Sequence, residues 1–73
     1  MENIIYYPPV YKRNNNGEMH VIMFYIKDGA IHKKCGCVGC EITKIKNQRR
    51  TNEDAIFECN YAHNTLLQNG WNQ

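Results

Sequence analysis

Residues 35–40 read Cys-Gly-Cys-Val-Gly-Cys, which gathers three of the chain's four cysteines and two of its five glycines into six positions. Glycine admits backbone angles and close chain approaches that a β-carbon forbids, so a β-rich stretch entering this segment must leave it through a tight turn. A run of β-branched and aromatic residues precedes the segment, and a short charged strand pattern follows it. The expected fold is built outward from that turn.

A chain of 73 residues is at most one domain. At this size only about 60% of the unfolded surface is buried, so a sheet against a single helix is the thickest core it can support. In chain order, Tyr6-Tyr7-Pro8-Pro9 fixes an extended backbone and removes two amide donors, which makes residues 1–10 an N-terminal arm or edge segment and leaves 11–73 as the domain. Tyr11-Lys12-Arg13 leads into Asn14-Asn15-Asn16-Gly17, where Asn-Gly between strand-like runs signals a hairpin.

The period of two then separates His20, Ile22, Phe24 and Ile26 from Met19, Val21, Met23 and Tyr25. Both sets are largely apolar, so the strand at 19–26 is either covered on both sides or offers an apolar outer face to a partner. Lys27-Asp28-Gly29 is the next turn. A strand at 30–37 puts Ile31, Lys33, Cys35 and Cys37 on one face and His32, Lys34 and Gly36 on the other. Residues 41–46 make a further strand, and Asn47-Gln48-Arg49-Arg50 a basic loop.

A helix is expected over 52–69. Thr51 or Asn52 caps it, Glu53 and Asp54 sit at the positive end of its dipole, and Gly70 stops it. Ala55, Cys59, Ala62 and Leu66 recur at helical spacing, with Ile56, His63 and Leu67 beside them, so one stripe faces the sheet, and Trp71 folds back over the end of the core. The fold class is thus α+β, a small antiparallel sheet packed against one C-terminal helix.

Net charge is +2 with a pI near 8.4, which permits an anionic partner but is far from the balance of a strongly basic nucleic-acid binder. No apolar run approaches the ~20 residues of a membrane span. Met1-Glu2-Asn3-Ile4-Ile5 is not a basic region followed by an apolar core, so the expected setting is intracellular, away from membranes. There is no phosphate-binding glycine loop, no paired carboxylates in a pocket and no nucleophile beside a base, so no enzyme is expected.

Cys35, Cys37, Cys40 and Cys59 could supply four thiolates to tetrahedral zinc, with His32 or His63 as substitutes. Against this, Cys59 lies on the apolar helix stripe, where cysteine behaves as a small hydrophobe, and there is one C-x2-C half instead of two. The expectation is reduced thiols, no metal and no other cofactor. For nucleic acid the candidate residues are Lys33, Lys34, Lys44, Lys46, Arg49 and Arg50, with Lys12 and Arg13 further off and Tyr6, Tyr7 and Tyr25 as stacking rings. The alternative reading of these charges is that they keep a small domain soluble.

Cys-Gly-Cys-Val-Gly at 35–39 stands where the WGR domain family carries Trp-Gly-Arg-Val-Gly, and Ala55 near the helix start and Asn69-Gly70-Trp71 resemble that family's ending. The chain is similar over more of its length, about residues 11 to 71, to the N-terminal WGR-like module of phage and viral ATP-dependent DNA ligases. There Tyr11-Lys12-Arg13, the turn from Asn14 to Gly17, the strand from Met19 and Thr51-Asn52-Glu53-Asp54-Ala55 all have counterparts. The resemblance implies a small antiparallel sheet on one helix and, as in poly(ADP-ribose) polymerases, contact with DNA near a strand end.

Cys35 and Cys37 stand at the family's tryptophan and arginine, so its stacking ring and its phosphate-binding fork do not carry over. Binding would then rest on the scattered lysines and arginines, weak and sequence-indifferent. The expected function is a small, stand-alone, non-catalytic module, viral or phage in kind, binding nucleic acid or a protein of nucleic-acid metabolism. The alternative is an inhibitor or capping protein acting on a host protein through Met19, Val21, Met23 and Tyr25; a zinc-stabilised structural domain is a second.

Overall fold

In a computed structural model, residues 4–45 and 51–73 are described. Five strands, β1 (Ile4–Tyr6), β2 (Val10–Arg13), β3 (Met19–Lys27), β4 (Ala30–Cys37) and β5 (Ile42–Ile45), precede one helix, α1 (Asn52–Gln68). All pairings are antiparallel, in the order β1-β3-β4-β5, with β2 also on β3. The α+β class expected from the sequence is the one observed.

β3 and β4 form the central hairpin. Lys27 pairs with Ala30 across Asp28 and Gly29, both with positive φ (53° and 73°), the pair of angles a two-residue hairpin turn requires. That turn sets the register of the whole sheet: Ile26 faces Ile31, Tyr25 faces His32, and His20 faces Cys37.

The expected boundary between arm and domain, at residues 10 and 11, does not mark where the sheet begins. Ile4–Tyr6 already pairs with β3, and Val10 is fully buried. Between Tyr6↔Tyr25 and Val10↔Ile22 the three residues Tyr7, Pro8 and Pro9 stand opposite only Met23 and Phe24. The extra residue is a bulge, which suits prolines that cannot donate to the ladder. It also shifts parity by one, so that Ile5 and Val10 both lie on the face of Ile22 and Ile26.

The helix covers that face. Phe24, Ile26, Ile31, Ala55 and Cys59 form the core, with Ile5, Tyr7, Ile22, Ile56, Ala62 and Leu66 packed against it. The sequence-predicted stripe is the buried one, and His63 joins it, its Nε2–H donating to the Pro8 carbonyl at 3.1 Å. That bond ties the middle of α1 to the bulge and satisfies the Nε2–H of the buried ring. Thr51 Oγ1 accepts from the Asp54 amide at 3.2 Å at the helix start, and Lys12 Nζ donates to the Asn69 carbonyl at its end. Gly70 carries φ 92° beyond the cap, and Asn72 pairs its backbone with Tyr11, closing the outer edge of β2.

β5 is the exception to this packing. Its four residues are all exposed, and α1 packs on β3 and β4. Among the described residues no helix or second sheet covers the opposite face, so the second covering layer allowed by the apolar pattern of β3 is not found there.

Candidate nucleic-acid interface

Antiparallel partners share a face, so the register assigns every side chain of the uncovered surface. Tyr6, Tyr25, His32 and Ile45 form one row across β1, β3, β4 and β5. Met23, Lys34 and Thr43 form the next, then Tyr11 with Val21, then Arg13 with Met19. The first row is an aromatic ladder. Tyr25 stacks on His32 with centroids 4.6 Å apart and rings 12° from parallel, and Tyr6 lies 5.7 Å from Tyr25, tilted by 35°. Tyr6 is 65% exposed, which leaves its ring open to a further stacking partner.

The far end of this face is shaped by the Cys-Gly-Cys-Val-Gly-Cys segment. Gly36 pairs with Val21 at φ 139°, and a β-carbon built on it would stand 3.2 Å from the Cys40 carbonyl oxygen, so the turn after β4 folds back at that point. The Cys40 amide closes the turn on the Cys37 carbonyl at 2.9 Å. A hollow of about 160 Å³ results, lined by Pro9, Tyr11, Val21, Met23, Lys34 and Glu41. The Glu41 carboxylate accepts from its own amide and from that of Gly39, with Lys34 nearby, and these hold its pKa below the ordinary value.

The basic residues expected to bind nucleic acid do not form one patch. Lys34 lies on the uncovered face beside the ladder, whereas Lys33 and Lys44 are cross-strand partners on the helix side. Lys46, Arg49 and Arg50 lie outside the described residues. Of the expected stacking rings, Tyr6 and Tyr25 are in the ladder. Tyr7 is not: it faces the helix, its hydroxyl donating to Asn60 Oδ1 at 2.9 Å. Strand alternation explains the difference: Tyr7 follows Tyr6, opposes Phe24 ahead of the bulge, and so points to the helix side. The alternative interface residues Met19, Val21, Met23 and Tyr25 all lie on the uncovered face, although Val21 is only 7% exposed.

The four cysteines are free thiols with separate fates. Cys59 is buried in the core, Cys40 is exposed in the turn, and Cys35 and Cys37 are half-buried on the helix side of β4. Among the described residues the one gathering of three metal-ligating side chains is a different set, Glu18, His20 and Cys37. Cys37 Sγ donates to Glu18 Oε2 at 3.3 Å, and that hydrogen bond pushes the thiol pKa up.

Sequence reasoning missed His32 as a member of the ladder and Glu18-x-His20 as a partner of Cys37. Both depend on the β3–β4 register, which the Lys27–Ala30 turn determines. It also missed Phe57 and Tyr61, 76% and 71% exposed, which stand with Asp54 and Glu58 on the outer side of α1. Compared with known proteins, the chain matches no family model, no curated protein and no solved structure.

Proposed function

We propose that the protein is a non-catalytic, WGR-like module that binds single-stranded nucleic acid on its helix-free sheet face. The row Tyr6–Tyr25–His32 is the observation that carries this reading. Bases have π-faces whatever their identity, so an exposed aromatic row on a rigid sheet holds unpaired bases with little sequence preference. Lys34, Lys27 and Arg13, on the same face by register, would supply phosphate neutralisation. Duplex DNA keeps its bases stacked internally and gains nothing from the ladder, so the preference runs to single strands. This changes the emphasis of the resemblance: the rings come from β1, β3 and β4 and not from the positions of the family's tryptophan and arginine.

The test is fluorescence anisotropy with labelled single- and double-stranded DNA and RNA across a salt series. Single strands bind more tightly than duplex at every salt concentration, and Tyr6→Ala weakens binding by about 1–3 kcal/mol per stacked base, or roughly 5- to 150-fold. A protein partner is the second reading, supported by Met19, Val21, Met23 and Tyr25 sharing that face beside the 160 Å³ hollow. Absence of any binding at low salt would move the assignment to it.

A further inference from the structure

We infer that Glu18, His20 and Cys37 form a binding site for a zinc ion, with three protein ligands and a fourth position left to solvent. The site is separate from the sheet face discussed above, and its ligand set is not the four cysteines weighed from the sequence.

Strand geometry assembles it. Glu18 precedes β3 and lies two positions before His20, so the period of two puts both on the same side of the strand. His20 then pairs directly with Cys37, the last residue of β4, which brings the thiol to the same side. The three ligand atoms lie within 4.8 Å of one another. Cys37 Sγ is 3.3 Å from Glu18 Oε2 and 3.7 Å from His20 Nε2. In a tetrahedral site with Zn–S near 2.3 Å and Zn–N and Zn–O near 2.0–2.1 Å, those edges measure about 3.5 and 3.6 Å. The two edges that meet at Cys37 Sγ therefore stand almost at ligating separation without the metal, and the third, from Glu18 to His20, lies within 4.8 Å.

The protonation of His20 also fits. Asn14 Oδ1 accepts from the Asn16 and Glu18 amides, both at 2.9 Å, which fixes the orientation of the side-chain amide. Its nitrogen must then donate to His20 Nε2 at 3.0 Å, so Nε2 presents a lone pair and the ring's proton sits on Nδ1. That lone pair is what a metal takes. The arrangement holds a soft thiolate, an imidazole and a carboxylate, a set that selects zinc over magnesium or calcium. One thiol proton leaves to solvent as Zn–S forms, and the Asn14 contact to Nε2 is exchanged for the Zn–N bond. Thiolate and carboxylate together balance the dication. Lys12, the other cross-strand neighbour of His20, has its ammonium held by the Asn69 carbonyl at 3.1 Å.

The experiment uses the full chain, stripped of metal and titrated with Zn²⁺ under native mass spectrometry and with Co²⁺ under absorption spectroscopy. One metal per chain is expected, with a thiolate-to-cobalt charge-transfer band in the near ultraviolet. Cys37→Ser abolishes the band, whereas Cys35→Ser and Cys40→Ser retain it. Glu18→Gln, at an exposed side chain, weakens zinc binding by at least the roughly 10- to 100-fold that loss of even an outer-shell partner costs. It keeps the test open should Cys37→Ser fail to fold, which circular dichroism checks. Failure of the wild-type chain to bind stoichiometrically overturns the site, as does a band that survives Cys37→Ser, a band lost with Cys40→Ser, or unchanged affinity in Glu18→Gln.

Discussion

The two faces of the sheet are made from the same strands but set to different tasks. On the helix side Phe24, Ile26 and Ile31 are between 1% and 7% exposed and meet Ala55 and Cys59 of α1. On the other side Tyr6, Tyr25, His32 and Met23 alternate with them along the same backbone, and no second layer of the described residues lies on them. Burial against a helix stabilises the fold. A half-exposed aromatic row contributes less to stability, and its rings are free to meet something else. The contrast teaches that β3, apolar on both faces, is not one signal: one set of alternate residues specifies the core and the other specifies a surface.

The sharpest way to break this comparison is to truncate a side chain on the covered face. Ile26→Ala removes one of the largest fully buried side chains and leaves a cavity beneath α1, so stability falls by about 2–5 kcal/mol. Chemical denaturation reads it as a lower midpoint with an unchanged slope. A loss no larger than that of an exposed-face substitution would mean the helix does not define the core.

Gly36 tests the corner where the chain turns back. A side chain there combines a φ of 139° with a contact of 3.2 Å to the Cys40 carbonyl oxygen, which must shift to admit it. Gly36→Ala therefore costs about 1–3 kcal/mol. It loosens the turn that carries Cys40 and Glu41 while β1 and β2 stay paired, which hydrogen exchange at the Val38 and Cys40 amides resolves from global opening.

Tyr25→Ala sharpens the comparison from the other side. Nucleic-acid affinity drops by about 1–3 kcal/mol per lost stacking base. The unfolding midpoint moves far less than in Ile26→Ala, because the ring has no helix packed on it. Equal losses in both measurements would make the ladder a structural element and remove the case for an interface.

Most of the architecture was legible because local chemistry and global fold agree. Lys27-Asp28-Gly29 is a turn on sequence grounds, Thr51 or Asn52 a cap, and the stripe from Ala55 to Leu66 a buried one; the structure has Asp28 and Gly29 at the centre of the turn, Thr51 as the cap and the stripe in the core. An edge segment is legible at Tyr6-Tyr7-Pro8-Pro9, but nothing local shows that the prolines supply the extra residue that turns Val10 inward beside Ile5. The site was less legible for a different reason. Tyr6, Tyr25 and His32 are far apart in sequence, and so are His20 and Cys37; only the cross-strand register brings them together. Cys59, by contrast, is legible: helical spacing puts it on the apolar stripe, and it is buried in the core.

The smallest expected effect lies at Glu41, where the uncovered face meets the turn after β4. Its carboxylate is held mainly by its own amide and that of Gly39, with a lesser contribution from Lys34, and all three favour the charged form over the opposing effect of desolvation. The folded pKa is therefore below the unfolded one. The stabilisation is present above the unfolded pKa and lost as pH falls through the folded value. Carboxyl chemical shifts followed through acid titration give a midpoint below the ordinary 4.5. Lys34→Ala raises it only slightly, because amide hydrogen bonds outweigh a solvent-screened lysine. A midpoint that returned fully to the ordinary value in Lys34→Ala would make the charge of Lys34 the controlling interaction. Lys34 would then be engaged with Glu41 instead of available to a phosphate, which weakens the nucleic-acid reading at one of the two lysines that flank the ladder.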